Sequence, residues 1–318
     1  MADAAVHDVA RDWAHPSLIL VATDLSDLDR LMPLALEQAA ASGARLLLLH
    51  ALPTISAISA DASGLPYYDT SGALEAADKT LQQWCTLAGA RSLRCDALVR
   101  EGQPTHEIGV AIRQFHADRV IVGTRSRSKL GKLLVGSVAE QVLRSVNLPV
   151  ITVGPEAHLQ EPDSEGPVVL LATTLRETSR PGAALACRIA EAQKARLVLL
   201  HVLPPADEME RKHLPTGLDS TAMQELRSLA HAIGSGSGVN VEPVVAHGNP
   251  TIEILAASSE RHASLIILGA TQRSALENLT RDRTVYRVLA HARCPVLTLR
   301  EPQPAAPELH VEAVGANH

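Results

Sequence analysis

The strongest constraint on what this chain can fold into is that much of it occurs twice. Ala44-Arg45-Leu46-Leu47-Leu48-Leu49-His50 returns as Ala195-Arg196-Leu197-Val198-Leu199-Leu200-His201, and Gly102-Gln103-Pro104-Thr105 returns as Gly248-Asn249-Pro250-Thr251. Further on, Val120-Ile121-Val122-Gly123 returns as Ile266-Ile267-Leu268-Gly269, and Leu148-Pro149-Val150 as Cys294-Pro295-Val296. The matches keep their order, and the last three their spacing as well, so a whole domain is duplicated and not a single motif. A chain of 318 residues holds two domains of ordinary size, each able to bury a core of its own.

Each copy alternates short aliphatic runs with amphipathic segments. In the first, strands are expected near 18–23, 45–51, 93–99, 118–123 and 149–153, with helices near 28–42, 72–89, 104–115 and 137–146. In the second, strands fall near 168–173, 196–202, 240–246, 264–269 and 295–299, with helices near 179–193, 218–233, 250–261 and 282–291. Continuous aliphatic strands separated by helices predict an α/β fold, a doubly wound parallel sheet covered on both faces. Ligands of such sheets sit at the carboxyl ends of the strands, where the strand order changes direction. The domains read as 1–154 and 167–300, with a linker at 155–166 and a tail at 301–318. The linker, GPEAHLQEPDSEG with Gly154 and Gly166 at its ends, is acidic and proline-bearing and is expected to be exposed. The tail has no amphipathic period.

Composition excludes several classes. A net charge of −6 argues against general nucleic-acid binding, which needs a basic surface. The core must be aliphatic, because the chain has one Phe and two Trp within a 46% hydrophobic composition. Four cysteines, Cys85, Cys95, Cys187 and Cys294, show no metal or redox spacing and read as reduced residues of a cytoplasmic protein. The amino terminus lacks the apolar segment of a signal peptide and no run approaches membrane-spanning length, so no membrane association is expected.

The stretch from Val120 to Val150 carries the chemistry. A buried strand, Val120-Ile121-Val122, breaks at Gly123 into a loop bearing Arg125, Arg127, Lys129 and Lys132; Gly136-Ser137 then precede Val138, Val142 and Val146 at helical spacing. The first turn of a helix leaves N–H groups unpaired at the positive end of its dipole, so a phosphate finds donors there. Gly136 lets a ligand approach the backbone, and the Ser137 hydroxyl can cap the helix or bond a phosphate oxygen. A strand-to-helix connection with a solvated basic loop accounts for the same residues.

That stretch resembles the universal stress protein family, whose ATP-binding signature reads Gly-x2-Gly-x9-Gly-Ser and closes with Pro-Val. Here it is Gly123-x2-Ser126-x9-Gly136-Ser137, followed by Pro149-Val150. Ser126 replaces one glycine; if the turn needs positive φ, this costs about 1 kcal/mol. The resemblance implies strand order 3-2-1-4-5 in each copy, and an Asp at the end of the first strand holding adenine and ribose, a role that falls to Asp24. By the same matching Ala22 and Ala51 line the adenine pocket, while Val122, Gly123, Arg125, Ser126, Gly136, Ser137 and Val138 hold ribose and phosphates. Mg or Mn would ride on the phosphates. On the residues alone, Asp24 or Ser26 reads as a helix cap. Family members commonly dimerise through their last strands, so Pro149–Val153 is expected to pair antiparallel with Pro295–Leu299; homodimerisation of the whole chain stays open.

In the second copy, Thr174 stands where the first has Asp24, Gln272 where it has Ser126, and Asp282-Arg283 where it has Gly136-Ser137. Asp282 is expected at the helix start, repelling an anion there. ATP, or a related adenine nucleotide, is therefore expected in the first copy only, in a stress-response or signalling module. The alternative is a structural interaction protein whose repeats form a pseudo-dimer and bind no nucleotide. No base or water-positioning residue is evident in the loop, so no more than slow hydrolysis is expected. Gly234-Ser235-Gly236-Ser237-Gly238 follows a helix and precedes a strand, and reads as a helix stop. His50 and His201 end matching strands and read as packing or hydrogen-bonding residues, not ligands; Glu107 and Glu253 read as exposed carboxylates in a first helical turn.

Overall fold

The computed structural model describes residues 13–53, 71–124, 135–158, 166–203, 218–271 and 278–301. In the first repeat the strands are β1 (Leu18–Thr23), β2 (Arg45–Leu52), β3 (Cys95–Glu101), β4 (Arg119–Gly123) and β5 (Val150–Val153). They alternate with the helices α1 (Leu28–Ser42), α2 (Ser71–Ala90), α3 (Pro104–Phe115) and α4 (Ser137–Ser145). The second repeat supplies β6 (Val168–Ala172), β7 (Arg196–Leu203), β8 (Val241–His247), β9 (Leu265–Thr271) and β10 (Val296–Glu301). Its helices are α5 (Arg180–Ala192), α6 (Leu218–Gly234), α7 (Pro250–Glu260) and α8 (Asn278–His291), with a 3₁₀ turn at Glu177–Ser179 leading into α5.

The strands form one ten-stranded sheet ordered β3-β2-β1-β4-β5-β10-β9-β6-β7-β8. Each repeat therefore has the order 3-2-1-4-5, and every neighbouring pair within a repeat is parallel. At the seam β10 runs antiparallel to β5, with Val296 opposite Thr152, Leu297 opposite Ile151 and Thr298 opposite Val150. The Thr152 hydroxyl donates across it to the Val296 carbonyl at 3.2 Å.

Strand geometry explains how the aliphatic runs are used, since successive side chains point to opposite faces. Ile19 and Val21 of β1 join a core with α1 and α2 that continues into the second repeat under α5 and α6. Leu18, Leu20 and Ala22 face the other way, against Ile108 and Ala111 of α3 and Ala139 and Val142 of α4. On that face the second repeat has a separate cluster beneath α7 and α8. Removing a fully buried Leu such as Leu20 or Leu46 from water contributes ~1.5–3 kcal/mol.

One polar pair interrupts the first core. Arg119 is buried, and its guanidinium donates to Gln38 Oε1 and to the Trp13 carbonyl, both at 2.6 Å. Burial lowers its pKa to about 10. At the equivalent places the second repeat has Leu265 and Ile189, both buried. The polar pair has thus been exchanged as a pair, although Arg119 Nε itself has no hydrogen-bond partner.

Three expectations need correction. Helix α8 begins at Asn278 and not near 282, so Asp282 lies in its second turn and does not start the helix. Nothing like Gly136 stands before Asp282 to stop the helix from extending backward. The connector is not wholly exposed: Ala157 is buried, and the His158 N–H donates to the Arg293 carbonyl at 3.0 Å. Residues 159–165 lie outside the described residues, as do those after 301. Finally, Glu107 and Glu253 are half-buried and fold back beneath Gly102 and Gly248, whose φ values are +147° and +142°. A Cβ on those glycines would stand 2.7 and 2.8 Å from the respective carboxylate oxygens, so the glycines make room for the carboxylates. The Gly234–Gly238 stretch does end a helix, with Gly236 and Gly238 at φ +87° and +70°.

Candidate functional site

The strand order reverses between β1 and β4, and Ala22, Asp24, Ala51, Val122 and Gly123 gather at the carboxyl edge of the strands. Ala22 sits between Leu49 of β2 and Val122 of β4 in the strand register. Ala51 lies further along β2, opposite Arg100, and is also buried. Gly123 ends β4, and Asp24 follows β1 at the same edge.

The turn after β1 is held by its own side chains. Asp24 Oδ1 accepts from the Ser26 N–H at 2.9 Å and the Ser26 hydroxyl at 2.6 Å. Leu25 takes φ +74°, and its N–H donates to Thr23 Oγ1 at 2.9 Å. The same Thr23 hydroxyl donates to Asp27 Oδ1 at 2.6 Å. Asp27 stands at the N-cap of α1 without making a side-chain capping bond. So neither Asp24 nor Ser26 caps the helix; both shape the turn. His50 reaches the turn from β2, with Nδ1 2.9 Å from the Thr23 carbonyl oxygen.

Asp27 is the site residue that sequence reasoning missed. It is buried at 5% exposure, and burial, its largest influence, pushes its carboxyl above the ordinary value of 3.8; the neighbouring Asp24 charge acts in the same direction. Thr23 and Arg30 oppose the rise. A second carboxylate three residues after Asp24 was the available signal, and it was passed over in favour of Asp24.

On the far side of the loop, Gly136 is the N-cap of α4 in an extended conformation, φ −60° and ψ 147°, and as a glycine it offers the helix no capping side chain. Ser137 is its exposed first residue and Val138, half-buried, its second. The N-cap residue therefore takes none of the first-turn N–H groups of α4 with a side chain. Arg125 and Ser126, with the basic residues Arg127, Lys129 and Lys132, lie outside the described residues.

The second repeat builds the same turn without a carboxylate at the place of Asp24. Thr173 repeats Thr23: the Leu175 N–H donates to its hydroxyl at 3.2 Å, and His201 Nδ1 lies 2.9 Å from its carbonyl oxygen. Leu175 likewise has positive φ, +58°. Thr174 occupies the place of Asp24, and its hydroxyl lies 3.0 Å from that of Ser179, the N-cap of α5. A hydroxyl has replaced the Asp24 carboxylate, and three residues on, where the first repeat has the buried Asp27, stands the exposed Glu177, paired with Arg180 at 3.0 Å.

The profile of the universal stress protein family matches residues 17–154 and again 167–300. The chain belongs to the universal stress protein family. Among sequence relatives, a universal stress protein of Thermus aquaticus is 34% identical over 138 residues, 42% of this chain and 96% of that protein. A universal stress protein of Mycobacterium tuberculosis is 27% identical over 191 residues, 58% of this chain and 62% of that protein. Among solved structures, a universal stress protein from Archaeoglobus fulgidus superimposes with a TM-score of 0.68 at 20% identity, covering 90% of this chain and 99% of the other. At that identity the likeness concerns the fold. This universal stress protein is therefore a tandem one, with both repeats in the Rossmann-like α/β fold. Among its described residues no helix is long and apolar enough to cross a membrane.

Proposed function

We propose that the amino-terminal repeat binds an adenine nucleotide, ATP in the first place, and that its occupancy sets the conformation or partner choice of a cytoplasmic stress-response module. The observation that carries this reading is the conjunction at one sheet edge of Asp24, the small residues Ala22, Ala51 and Gly123, and a helix that has a glycine for its N-cap. A carboxylate suits ribose hydroxyls, small side chains leave room for a planar base, and free N–H groups suit phosphates. Mg or Mn carried on the phosphates needs no cluster of protein ligands, and none of three or more His, Cys, Asp or Glu that could hold a metal ion occurs among the described residues. Restriction to the first repeat rests on Thr174 in place of Asp24, since Asp282 lies inside α8 and not at its start.

The second reading, a scaffold that binds no nucleotide, draws support from the β5–β10 seam, through which one chain holds both halves of a pseudo-dimer. Acid extraction of the purified protein and calorimetry with magnesium-ATP separate the two. The first reading expects released adenine nucleotide and measurable heat, both lost in Asp24→Ala. Folded protein that gives no heat at millimolar magnesium-ATP establishes the scaffold instead.

A further inference from the structure

Cys85 and Cys95 lie ten residues apart across the end of α2 and the start of β3, a spacing that matches no redox or metal motif. Folding brings them together, with the sulfurs 2.6 Å apart. Both are half-buried, within reach of a small oxidant. The other two thiols differ: Cys187 and Cys294 are 2% and 1% exposed. The Cys187 thiol donates to the Ile233 carbonyl at 3.2 Å, and burial pushes Cys294 up to about 11.

The second repeat shows that the fold needs no sulfur at these places. Cys95 pairs with Leu46 in the strand register, and its counterpart Val241 pairs with Leu197. Cys85 lies four residues after the buried Leu81; four residues after the equivalent Leu226 comes Ala230. Alanine and valine fill this helix-to-strand contact in one half, and two thiols fill it in the other.

We propose that Cys85 and Cys95 are a modification site, a dithiol that a peroxide converts to an intramolecular disulfide joining α2 to the edge strand β3. With Cys95 as donor, the hydrogen bond between the sulfurs holds the Cys85 thiol below its ordinary value, and the same bond together with burial holds Cys95 above it. The Cys85 thiolate attacks one peroxide oxygen, the O–O bond breaks, and hydroxide leaves a sulfenic acid on Cys85. Cys95 sulfur then attacks Cys85 sulfur, the S–O bond breaks, and water departs with the Cys95 proton. Two thiols lose two electrons and two protons, and hydrogen peroxide becomes two molecules of water. Because β3 is at the end of the sheet, the bond pins a helix to a strand that has a sheet neighbour, β2, on one side only.

The test uses the full chain, reduced, freed of reductant and treated with stoichiometric hydrogen peroxide. Trypsin cuts after Arg91 and Arg94, so residues 80–91 and 95–100 stay together only through the proposed bond. The expected result is that linked peptide in a monomer, its disappearance with dithiothreitol, and a fall in titratable thiols from four to two, with Cys187 and Cys294 still alkylated. Recovery of Cys85 and Cys95 as free thiols, Cys85 as a sulfinic acid beside free Cys95, or a disulfide between chains overturns the proposal. A Cys85→Ala, Cys95→Val variant carries the residues of the second repeat. Peroxide should raise the wild-type thermal midpoint reversibly and leave this variant's unchanged; an equal shift in both also overturns it. None of these readouts involves nucleotide.

Discussion

Asp27 occupies the space that a side chain on Gly123 would need: a Cβ built on Gly123 stands 2.0 Å from Asp27 Oδ2. The carboxylate is short, buried and tied to the Thr23 hydroxyl, so it has little room to retreat. Gly123 is therefore required by the turn that follows β1, apart from any ligand. Gly123→Ala should destabilise the protein by ~1–3 kcal/mol, the usual cost of overpacking. Combining it with Asp27→Ala should cost clearly less than the sum of the single changes, as urea unfolding of the four proteins in the cycle would show.

The raised pKa of Asp27 has a definite sign. Between the unfolded value near 3.8 and the higher folded value, the native state binds more protons than the unfolded one, so this group's contribution to stability falls as pH rises. The contribution is fully present below the unfolded value and lost once pH passes the folded one. Asp27→Asn, which keeps an acceptor for Thr23, should therefore raise the thermal midpoint at pH 7, with the gain shrinking as the pH is lowered toward 3.8. A gain that persists or grows in acid would assign the effect to something other than titration of this carboxyl.

The Arg119–Gln38 pair predicts a compensation between the repeats. Arg119→Leu alone strands the buried Gln38 amide oxygen and the Trp13 carbonyl, and should cost ~1–3 kcal/mol. Adding Gln38→Ile reproduces the Leu265 and Ile189 combination of the second repeat and should recover most of that loss. Guanidinium unfolding midpoints would reveal whether recovery occurs.

Helix starts offer a matched control. Asn249 Oδ1 accepts from the Thr251 and Ile252 N–H groups at 3.0 and 3.4 Å, whereas Gln103, at the same place before α3, makes no capping bond. Asn249→Ala should cost ~1 kcal/mol and Gln103→Ala only a few tenths. Equal thermal shifts in the two variants would contradict this assignment of the cap.

The elements were legible in the sequence because buried parallel strands read as aliphatic runs, and because glycine or proline stands beside several helix ends, as at Gly43 and Pro104. The start of α8 was not. It was carried over from the first repeat, where Gly136 holds an extended conformation before α4; the residues from Asn278 to Arg281 include neither glycine nor proline. Asp27 was hidden because its decisive neighbour, Gly123, lies on the other side of the strand switch. Arg119 falls within the strand expected near 118–123, and only its contacts with Gln38 and Trp13 identify it as part of the core. Local spacing gave the two half-buried cysteines no reason to be paired; the helix-to-strand packing of α2 on β3 does.

The antiparallel junction between β5 and β10 has an evolutionary consequence. A homodimer built on a two-fold axis must carry every substitution in duplicate, so a change that suits one subunit is forced upon the other. Fusing both halves into one polypeptide lifts that palindromic requirement, and Asp24 against Thr174, or Cys95 against Val241, are divergences only a fused pair could keep on opposite sides of one seam. Such a union also owes nothing to concentration: dilution cannot part the two halves of a single chain.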